Sequence, residues 1–291
     1  MKAVMLISLL SLELSYYLLI IQTGIVEFYA SDIFAILTLP IGGILGSLLS
    51  PYTKISSENK LTFFIAIQLF VSFFYPNLSA FMLFILGFSS GVISVLMIHK
   101  LKSASRYEIG VALSISYVIG TLLFNYDIDE RDVIALLFSL IVLIASRFLP
   151  KEFIVQDLRY NHKILTMFIW VLLDATLFEM LSRDSGISIW RDGFSYEIAI
   201  FHVIGVFLAL SIKSTDLYRS IVIFVLFFFS YLFYYLKEPY ILSAIYPIAI
   251  SYYNIVILQT ILKKDIKTIS YYMVFIAWLA TGLGLELALI L

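Results

Sequence analysis

The sequence predicts an all-α protein that crosses a membrane about eleven times. Of its 291 residues, 62 % are hydrophobic, against about 45–50 % in soluble domains. Charged residues make up only 13 % and the mean hydropathy is +1.02. The apolar residues also form runs close to the ~20 residues that a helix needs to cross ~30 Å of hydrocarbon. These observations exclude a soluble globule, a disordered chain and a collagen-like chain.

Eleven apolar runs lie between charged residues or Pro, Gly and Asn breaks, and each predicts one helix. In order they are Ala3–Ile21, Ile33–Leu49, Leu61–Phe74, Leu78–Ile98, Ile109–Phe124, Val133–Ser146, Ile164–Leu181, Ile198–Ile212, Ile221–Leu236, Tyr240–Leu262 and Ile269–Leu291. The third and sixth runs are short, so flanking polar and aromatic residues must extend them to the membrane interfaces. All the runs are too long and too uniformly apolar for barrel strands, which alternate over ~10 residues.

The basic residues predict the orientation, because cytoplasmic loops carry an excess of Lys and Arg. With the N-terminus in the cytoplasm, fifteen of the 19 Lys and Arg residues fall on the cytoplasmic side. The remaining four are Arg131, Arg183, Arg191 and Lys237. We therefore expect a multi-pass protein of the cytoplasmic or inner membrane, with its C-terminus outside.

The longest polar connector, Arg147–Lys163, follows the sixth helix and contains Pro150. It predicts a six-helix bundle over residues 1–149, a cytoplasmic linker over 150–163 and a five-helix bundle over 164–291.

A shift of about 161 positions aligns the two predicted bundles. Glu13 then meets Asp174, and Tyr117 meets Trp278. Because the shift covers six helices, the two copies keep the same orientation, as in a parallel repeat about an axis along the membrane normal. The second copy lacks a counterpart of the sixth helix, so a twelfth helix is absent.

Small residues allow close helix packing in the fourth and eleventh predicted helices. The fourth contains Gly87 and Gly91, and the eleventh contains Gly282 and Gly284. With the two parallel bundles and the linker, this pattern resembles the major facilitator superfamily in a reduced, eleven-helix form. The loop after helix two departs from the family pattern, because Ser50 stands where aspartate is expected. The resemblance implies that helices 1, 4, 7 and 10 line a central cavity and that helices 3, 6, 9 and 12 are peripheral.

Two carboxylates lie near the predicted membrane midplane, Glu13 in helix one and Asp174 in helix seven. An ionisable group there costs ~2.5–3.5 kcal/mol on insertion scales, so each requires a reason. If both acids face one cavity, they would bind a proton or another cation. Tyr17 lies four residues after Glu13, on the same helix face, and is a candidate substrate contact. The alternative is that each carboxyl is neutral or bonded to a neighbouring helix.

Three further polar residues are candidates for the same site. His202 in helix eight could pair with Asp174 and relay a proton, or it could be a neutral histidine bonded between helices. Asn254 and Gln259 in helix ten are candidate substrate contacts, with interhelical hydrogen bonding as the alternative.

Other charges have plainer interpretations. Glu179 lies four residues before Arg183, which predicts an ion pair at the end of a helix. The acidic stretch from Asp127 to Asp132 predicts a solvated charged turn on the outer side.

These features favour a secondary active transporter that moves a small solute or ion through the cavity, coupled to protons or cations. The chain has no cysteine, which excludes disulfides and thiolate metal sites. It also has no phosphate-binding Gly-rich loop, and its net charge of −1 gives no case for nucleic-acid binding. We expect no cofactor, no metal site and no enzymatic activity. The alternatives are a membrane enzyme for lipid-linked substrates and a non-transporting scaffold or accessory subunit. Besides membrane lipids, a second copy or a partner subunit could fill the position of the missing helix.

Overall fold

A computed structural model describes residues 2–29, 32–52, 55–149, 161–183, 186–191 and 193–291, without the side chains of Ile33 and Leu289. The described chain contains eleven helices and no strand. They are α1 Lys2–Phe28, α2 Ile33–Leu49, α3 Ser57–Ser72, α4 Ala80–Lys100, α5 Arg106–Leu123, α6 Asp132–Ser146, α7 Ile164–Arg183, α8 Ser195–Ser211, α9 Asp216–Tyr235, α10 Pro239–Ile261, and α11, which consists of Ile266–Met273, Val274–Ala280 and Thr281–Ile290. Each predicted run overlaps one of these helices, so the predicted number and order are confirmed.

Seven helices in the described part of the chain are long and apolar enough to span a membrane: α1, α2, α4, α7, α9, α10 and α11. The two runs that the sequence marks as short, α3 and α6, form helices of 16 and 15 residues. The chain is an integral membrane protein. Large apolar side chains such as Phe34, Phe207 and Phe228 remain 88 %, 66 % and 63 % exposed, as suits contact with lipid chains.

Short polar side chains fix where several helices begin. Asp32, Ser56, Ser79, Thr215 and Asp265 each accept a hydrogen bond from a backbone N–H in the first turn of the helix that follows, at 2.7–3.4 Å. These N–H groups have no partner inside their own helix. The polar residues between the apolar runs therefore set the boundaries of the helices as well as separating them.

The described residues form two compact units. The first contains α1 to α4, α6, the part of α5 up to Ser116, and the start of α11 up to Val274. The second contains α7 to α10, the stretch Tyr117–Asn125, and Phe275–Leu291. Most of the predicted linker, residues 150–160, lies outside the described residues, and the division at 1–149, 150–163 and 164–291 stays a prediction.

In the first unit, α2 and α4 approach each other closely through glycine. A Cβ atom at Gly42, Gly46, Gly87 or Gly91 would collide with a backbone carbonyl of the opposite helix. The predicted role of Gly87 and Gly91 in close helix packing is thus seen directly.

In the second unit, single glycines bring α8 onto α10 and α11 onto α7. A Cβ atom on Gly205 would lie 2.9 Å from Ile248 and Ser251, and one on Gly284 would lie 2.6 Å from Ala175. Gly282 has open space around it, so the close packing predicted for α11 depends on Gly284 alone of the two.

Candidate functional site

Asp174 is the centre of a hydrogen-bonded cluster in the second unit. It lies on α7, half-buried, and faces two buried tyrosines of α10 that are seven residues apart. Residues at this spacing share one face of a helix. Tyr246 donates its hydroxyl to Oδ1 at 2.8 Å, and Tyr253 donates to Oδ2 at 2.5 Å. Both carboxyl oxygens are therefore held in place by hydroxyl donors.

Aromatic rings pack against the two tyrosines that hold this carboxyl group. Tyr231 of α9 donates to the backbone carbonyl of Leu173, at 2.8 Å, which ties α9 to α7 beside Asp174. The ring of Phe227 lies 5.7 Å from that of Tyr253, and the ring of Trp190 lies 6.0 Å from that of Tyr246, between centroids. In such apolar surroundings each hydrogen bond to the carboxyl group is stronger than in water.

A second set of polar groups adjoins the first. Asn254 follows Tyr253 on α10, and its Nδ2 atom donates to the hydroxyl of Tyr117 at 2.9 Å. The ring of Tyr117 is stacked on that of His202, with centroids 4.3 Å apart and planes 5° from parallel. Tyr117 also interacts electrostatically with Asp174. The cluster thus combines side chains of α5, α7, α8 and α10 within the second unit.

The close approach of α8 and α10 at Gly205 positions His202. The histidine lies almost one turn before Gly205 on α8, and its Nδ1 atom is 2.7 Å from the hydroxyl of Ser251. Its side chain is buried, with 3 % exposed. His202 is therefore fixed by hydrogen bonds to Ser251 and to the backbone of Pro247 and by one stacked ring.

Glu13 belongs to a separate polar group in the first unit. Its side chain on α1 is 5 % exposed and accepts a hydrogen bond from Nε2 of Gln68 on α3, 3.0 Å from Oε2. One turn further along α1, the hydroxyl of Tyr16 lies 2.9 Å from that of Ser72, which in turn lies 3.3 Å from the hydroxyl of Ser139 on α6. Glu13 therefore faces the packing of α1 with α3.

No family model and no curated protein matches the chain. Solved structures do match. A variant of the E. coli fucose:proton symporter FucP is similar to the chain with a TM-score of 0.62, at 12 % identity, over 98 % of this chain and 89 % of that one. A structure titled as the major facilitator superfamily transporter FucP in the outward conformation has a TM-score of 0.57, at 10 % identity, over 99 % and 90 %. The chain has the fold of the major facilitator superfamily.

The predicted site residues have different positions within this major facilitator fold. Asp174 and Asn254 lie in one cluster, on two of the helices that the resemblance assigns to the cavity. His202 bonds to Ser251, whereas both Asp174 oxygens accept hydrogen bonds from tyrosines. The hydrogen bonds of His202 and Asp174 therefore go to these partners and not to each other. This arrangement matches the alternative interpretation of His202.

The remaining predicted residues have other surroundings. Glu13 and Tyr17 belong to the first unit, where Tyr17 is half-buried at the start of a π-helical stretch, Tyr17–Ile25. Gln259 is buried, with 9 % exposed, near the end of α10. Glu179 and Arg183 form the expected ion pair on α7.

Sequence reasoning missed Arg131, which is 3 % exposed and not part of a solvated turn. Its guanidinium donates to the carbonyl of Leu19 at 2.8 Å, to the hydroxyl of Thr23 at 3.0 Å and to the carbonyl of Tyr126 at 2.9 Å. Leu19 and Thr23 lie in the π-helical stretch, where carbonyls bond five residues ahead instead of four. Arg131 thus stabilises an irregular part of α1. The tyrosine spacing of α10 and the lone Gln68 in α3 were also missed.

Proposed function

We propose that this protein is a secondary active transporter that moves a small solute, with proton or cation coupling through membrane-embedded carboxyl groups. The observation that carries the proposal is the carboxyl group of Asp174, held within an apolar helix by two tyrosine hydroxyls and surrounded by aromatic rings. Placing an ionisable group inside a membrane costs free energy, and such groups usually have a function. The fold supports the proposal, because both similar structures are of transporters and one is named a fucose:proton symporter.

Each cluster residue has a proposed role. Asp174 binds the coupling proton or cation, and Tyr246 and Tyr253 orient its carboxyl group. Asn254 contacts the substrate together with Tyr117, and His202 keeps the Tyr117 ring in place. Gln259 and Tyr17 remain proposed substrate contacts, and Glu13 a proposed proton or cation site.

The chemistry of the cluster favours a neutral polar or cationic solute. Its groups are a carboxyl, hydroxyls, an amide, an imidazole and aromatic rings. The carboxylate would repel an anion, whereas aromatic faces attract cations and the hydroxyls and amide can bond to a polyol or an amine.

The test is transport by the purified full chain in proteoliposomes that contain a pH-sensitive dye. Sugars, polyols and small amines are added in turn, and proton movement that depends on the solute is recorded. We expect Asp174→Asn to reduce this movement by at least about tenfold, a factor that corresponds to ~1.4 kcal/mol. Glu286→Gln is the matched control, because Glu286 is an exposed carboxylate of α11. Unchanged pH-dependent flux in both Asp174→Asn and Glu13→Gln would refute the roles given to these residues.

A second copy or a partner subunit beside the chain remains a prediction. Its test is the mass of the detergent-solubilised particle. The N-terminus in the cytoplasm and the C-terminus outside are likewise proposed from the distribution of basic residues, and accessibility of introduced cysteines from each side tests them.

A further inference from the structure

Gln68 contains a buried hydrogen-bond acceptor that the described residues leave without a partner. The side chain is fully buried on α3, with 0 % exposed. Its Nε2 atom donates to Oε2 of Glu13 at 3.0 Å, but Oε1 has no hydrogen bond within the described part of the chain. Burying an acceptor without a partner destabilises a fold, so this oxygen calls for a donor.

The neighbouring hydroxyl groups are already engaged with one another. Ser72 donates to the backbone carbonyl of Gln68 at 2.8 Å and lies within bonding distance of Tyr16 and Ser139. Tyr16 on α1 is also the titratable group that interacts electrostatically with Glu13. Arg131, which directly precedes α6, donates hydrogen bonds to Leu19 and Thr23, further along α1. Among the described residues, Glu13 is the group already bonded to this amide, and its carboxyl group can supply a donor when it is protonated.

We propose that Glu13 carries a proton in this structure and donates it to Oε1 of Gln68, so that the two side chains form an acid–amide pair. An ionised carboxylate has only acceptors, whereas a protonated one has an O–H donor as well as an acceptor. The protonated form therefore satisfies both polar atoms of the Gln68 amide that face it. It also removes an unpaired charge from a side chain that is 5 % exposed.

A proton fits this site better than a metal ion. Hard cations such as Ca²⁺ and Mg²⁺ require about six or more oxygen ligands. Among the described side chains of this polar group, only Glu13 and Gln68 offer oxygens for such a cation, because the hydroxyls of Tyr16, Ser72 and Ser139 are bonded to one another. The ligand of this site is thus a single proton, shared between α1 and α3.

The pair makes the contact between α1 and α3 dependent on that proton. If Glu13 loses it, Oε1 of Gln68 is left without a donor among the described residues, and one hydrogen bond is lost. This inference deepens the role proposed for Glu13 as a proton site, but its test measures protonation and not transport. Failure of transport would leave it intact, and its failure would leave the Asp174 site intact.

The first experiment is infrared spectroscopy of the purified full chain in lipid at about pH 7. A protonated carboxylic acid has a carbonyl stretch distinct from that of a carboxylate. We expect an acid band that disappears in Glu13→Gln, stays in Asp174→Asn and shifts in Gln68→Leu, since the shift reports the lost hydrogen bond. Gln259→Leu, which removes another buried glutamine, should leave the band where it is. The proposal is overturned if Glu13→Gln removes a carboxylate band instead.

The second experiment uses thermal unfolding and needs no spectroscopic assignment. A glutamine at position 13 can exchange one donor and one acceptor with Gln68, as a protonated glutamate does. Glu13→Gln should therefore change the melting temperature by less than about 2 °C, whereas Glu13→Leu should lower it by several times as much. If Glu13 were ionised, Glu13→Gln would lose a charge-assisted bond and lower the melting temperature as Glu13→Leu does, which would contradict the proposal.

Discussion

The two membrane carboxyl groups occupy matching positions of the predicted internal repeat, 161 residues apart, yet they have different surroundings. Asp174 accepts hydroxyl donors on both oxygens, from Tyr246 and Tyr253. Glu13 accepts one amide donor and faces an amide oxygen that lacks a partner among the described residues. The first arrangement suits an acceptor-only carboxylate, and the second suits a neutral acid.

This difference shows that positions matched by the predicted repeat hold acids with different hydrogen-bond partners. The neighbouring helix supplies the partners, and α10 supplies phenol hydroxyls where α3 supplies an amide. An amide offers both a donor and an acceptor, whereas a tyrosine can give its single proton to the carboxylate. Asp174 of the second unit thus accepts phenol hydroxyls, while Glu13 of the first unit is bonded to an amide that links α1 with α3.

Removal of the acceptor at position 174 should produce the largest loss of stability. Asp174→Leu removes the carboxylate acceptor of the buried Tyr253 hydroxyl and leaves the Tyr246 hydroxyl with the backbone carbonyl of residue 174 alone. The Tyr253 hydroxyl that loses its acceptor costs about 1–3 kcal/mol and the lost Tyr246 bond about 1 kcal/mol, so we expect a loss of about 2–4 kcal/mol in the free energy of unfolding. Thermal unfolding of the detergent-solubilised chain measures it.

Asp174→Asn is the control for this prediction, because an amide oxygen still accepts from one tyrosine. It should reduce solute-dependent proton movement by at least about tenfold while losing much less stability than the leucine variant. Equal losses in both variants would show that the negative charge, and not the hydrogen bonding, stabilises this cluster.

Arg131 provides the next test. Its substitution shows how strongly the stability of the first unit depends on this buried guanidinium. Arg131→Met removes hydrogen bonds to the carbonyls of Leu19 and Tyr126 and to the hydroxyl of Thr23. Hydrogen bonds from a charged group contribute about 1.5–3 kcal/mol each and are not additive, so a loss of about 2–3 kcal/mol is expected. Arg191→Met is the comparison, because it makes the same substitution at an exposed arginine of the second unit. No loss in Arg131→Met would mean that the π-helical stretch of α1 holds without it.

The sequence predicted the helices better than it predicted the partners of the polar groups. Composition and run length are sufficient for the number and order of helices, because every backbone group in a membrane must be satisfied within a helix. Partners depend on the register between helices, which packing decides. The contact of Gly205 with Ser251, for example, determines that His202 bonds to that serine.

Two missed residues had a signal in the sequence. Gln68 is a polar side chain inside an apolar run, the same signal that identified Asn254. Arg131 was hidden by its acidic neighbours in the stretch from Asp127 to Asp132, which favoured a solvated turn. The π-helical stretch that receives Arg131 has no recognisable pattern in the sequence.

The two tyrosines of the Asp174 cluster offer a finer test within the second unit. Tyr246→Phe and Tyr253→Phe each remove one hydroxyl and leave the ring, so each should lower the free energy of unfolding by about 1–2 kcal/mol. Tyr253→Phe should also alter the dependence of transport on cation concentration more strongly, because the adjacent Asn254 links it to Tyr117. Tyr252→Phe, a neighbouring buried tyrosine, is the matched control. An identical effect of all three variants on transport would separate the cluster from the transport function.

The smallest expected effect concerns His162, whose titration must be separated from that of the two carboxyl groups. His162 lies before α7, outside the membrane span, and burial lowers its pKa below the usual value although Asp216 acts in the opposite direction. The unfolded chain therefore binds this proton more readily, and stability should fall as the pH drops below about 6.5 and stay level above it. His162→Gln can still accept from Ser220, which lies 3.3 Å from Nδ1, and should flatten this part of the pH profile. If the pH dependence of stability is unchanged in His162→Gln, another group causes it. Adding Glu13→Gln to that variant would then show whether the acid–amide pair is the source.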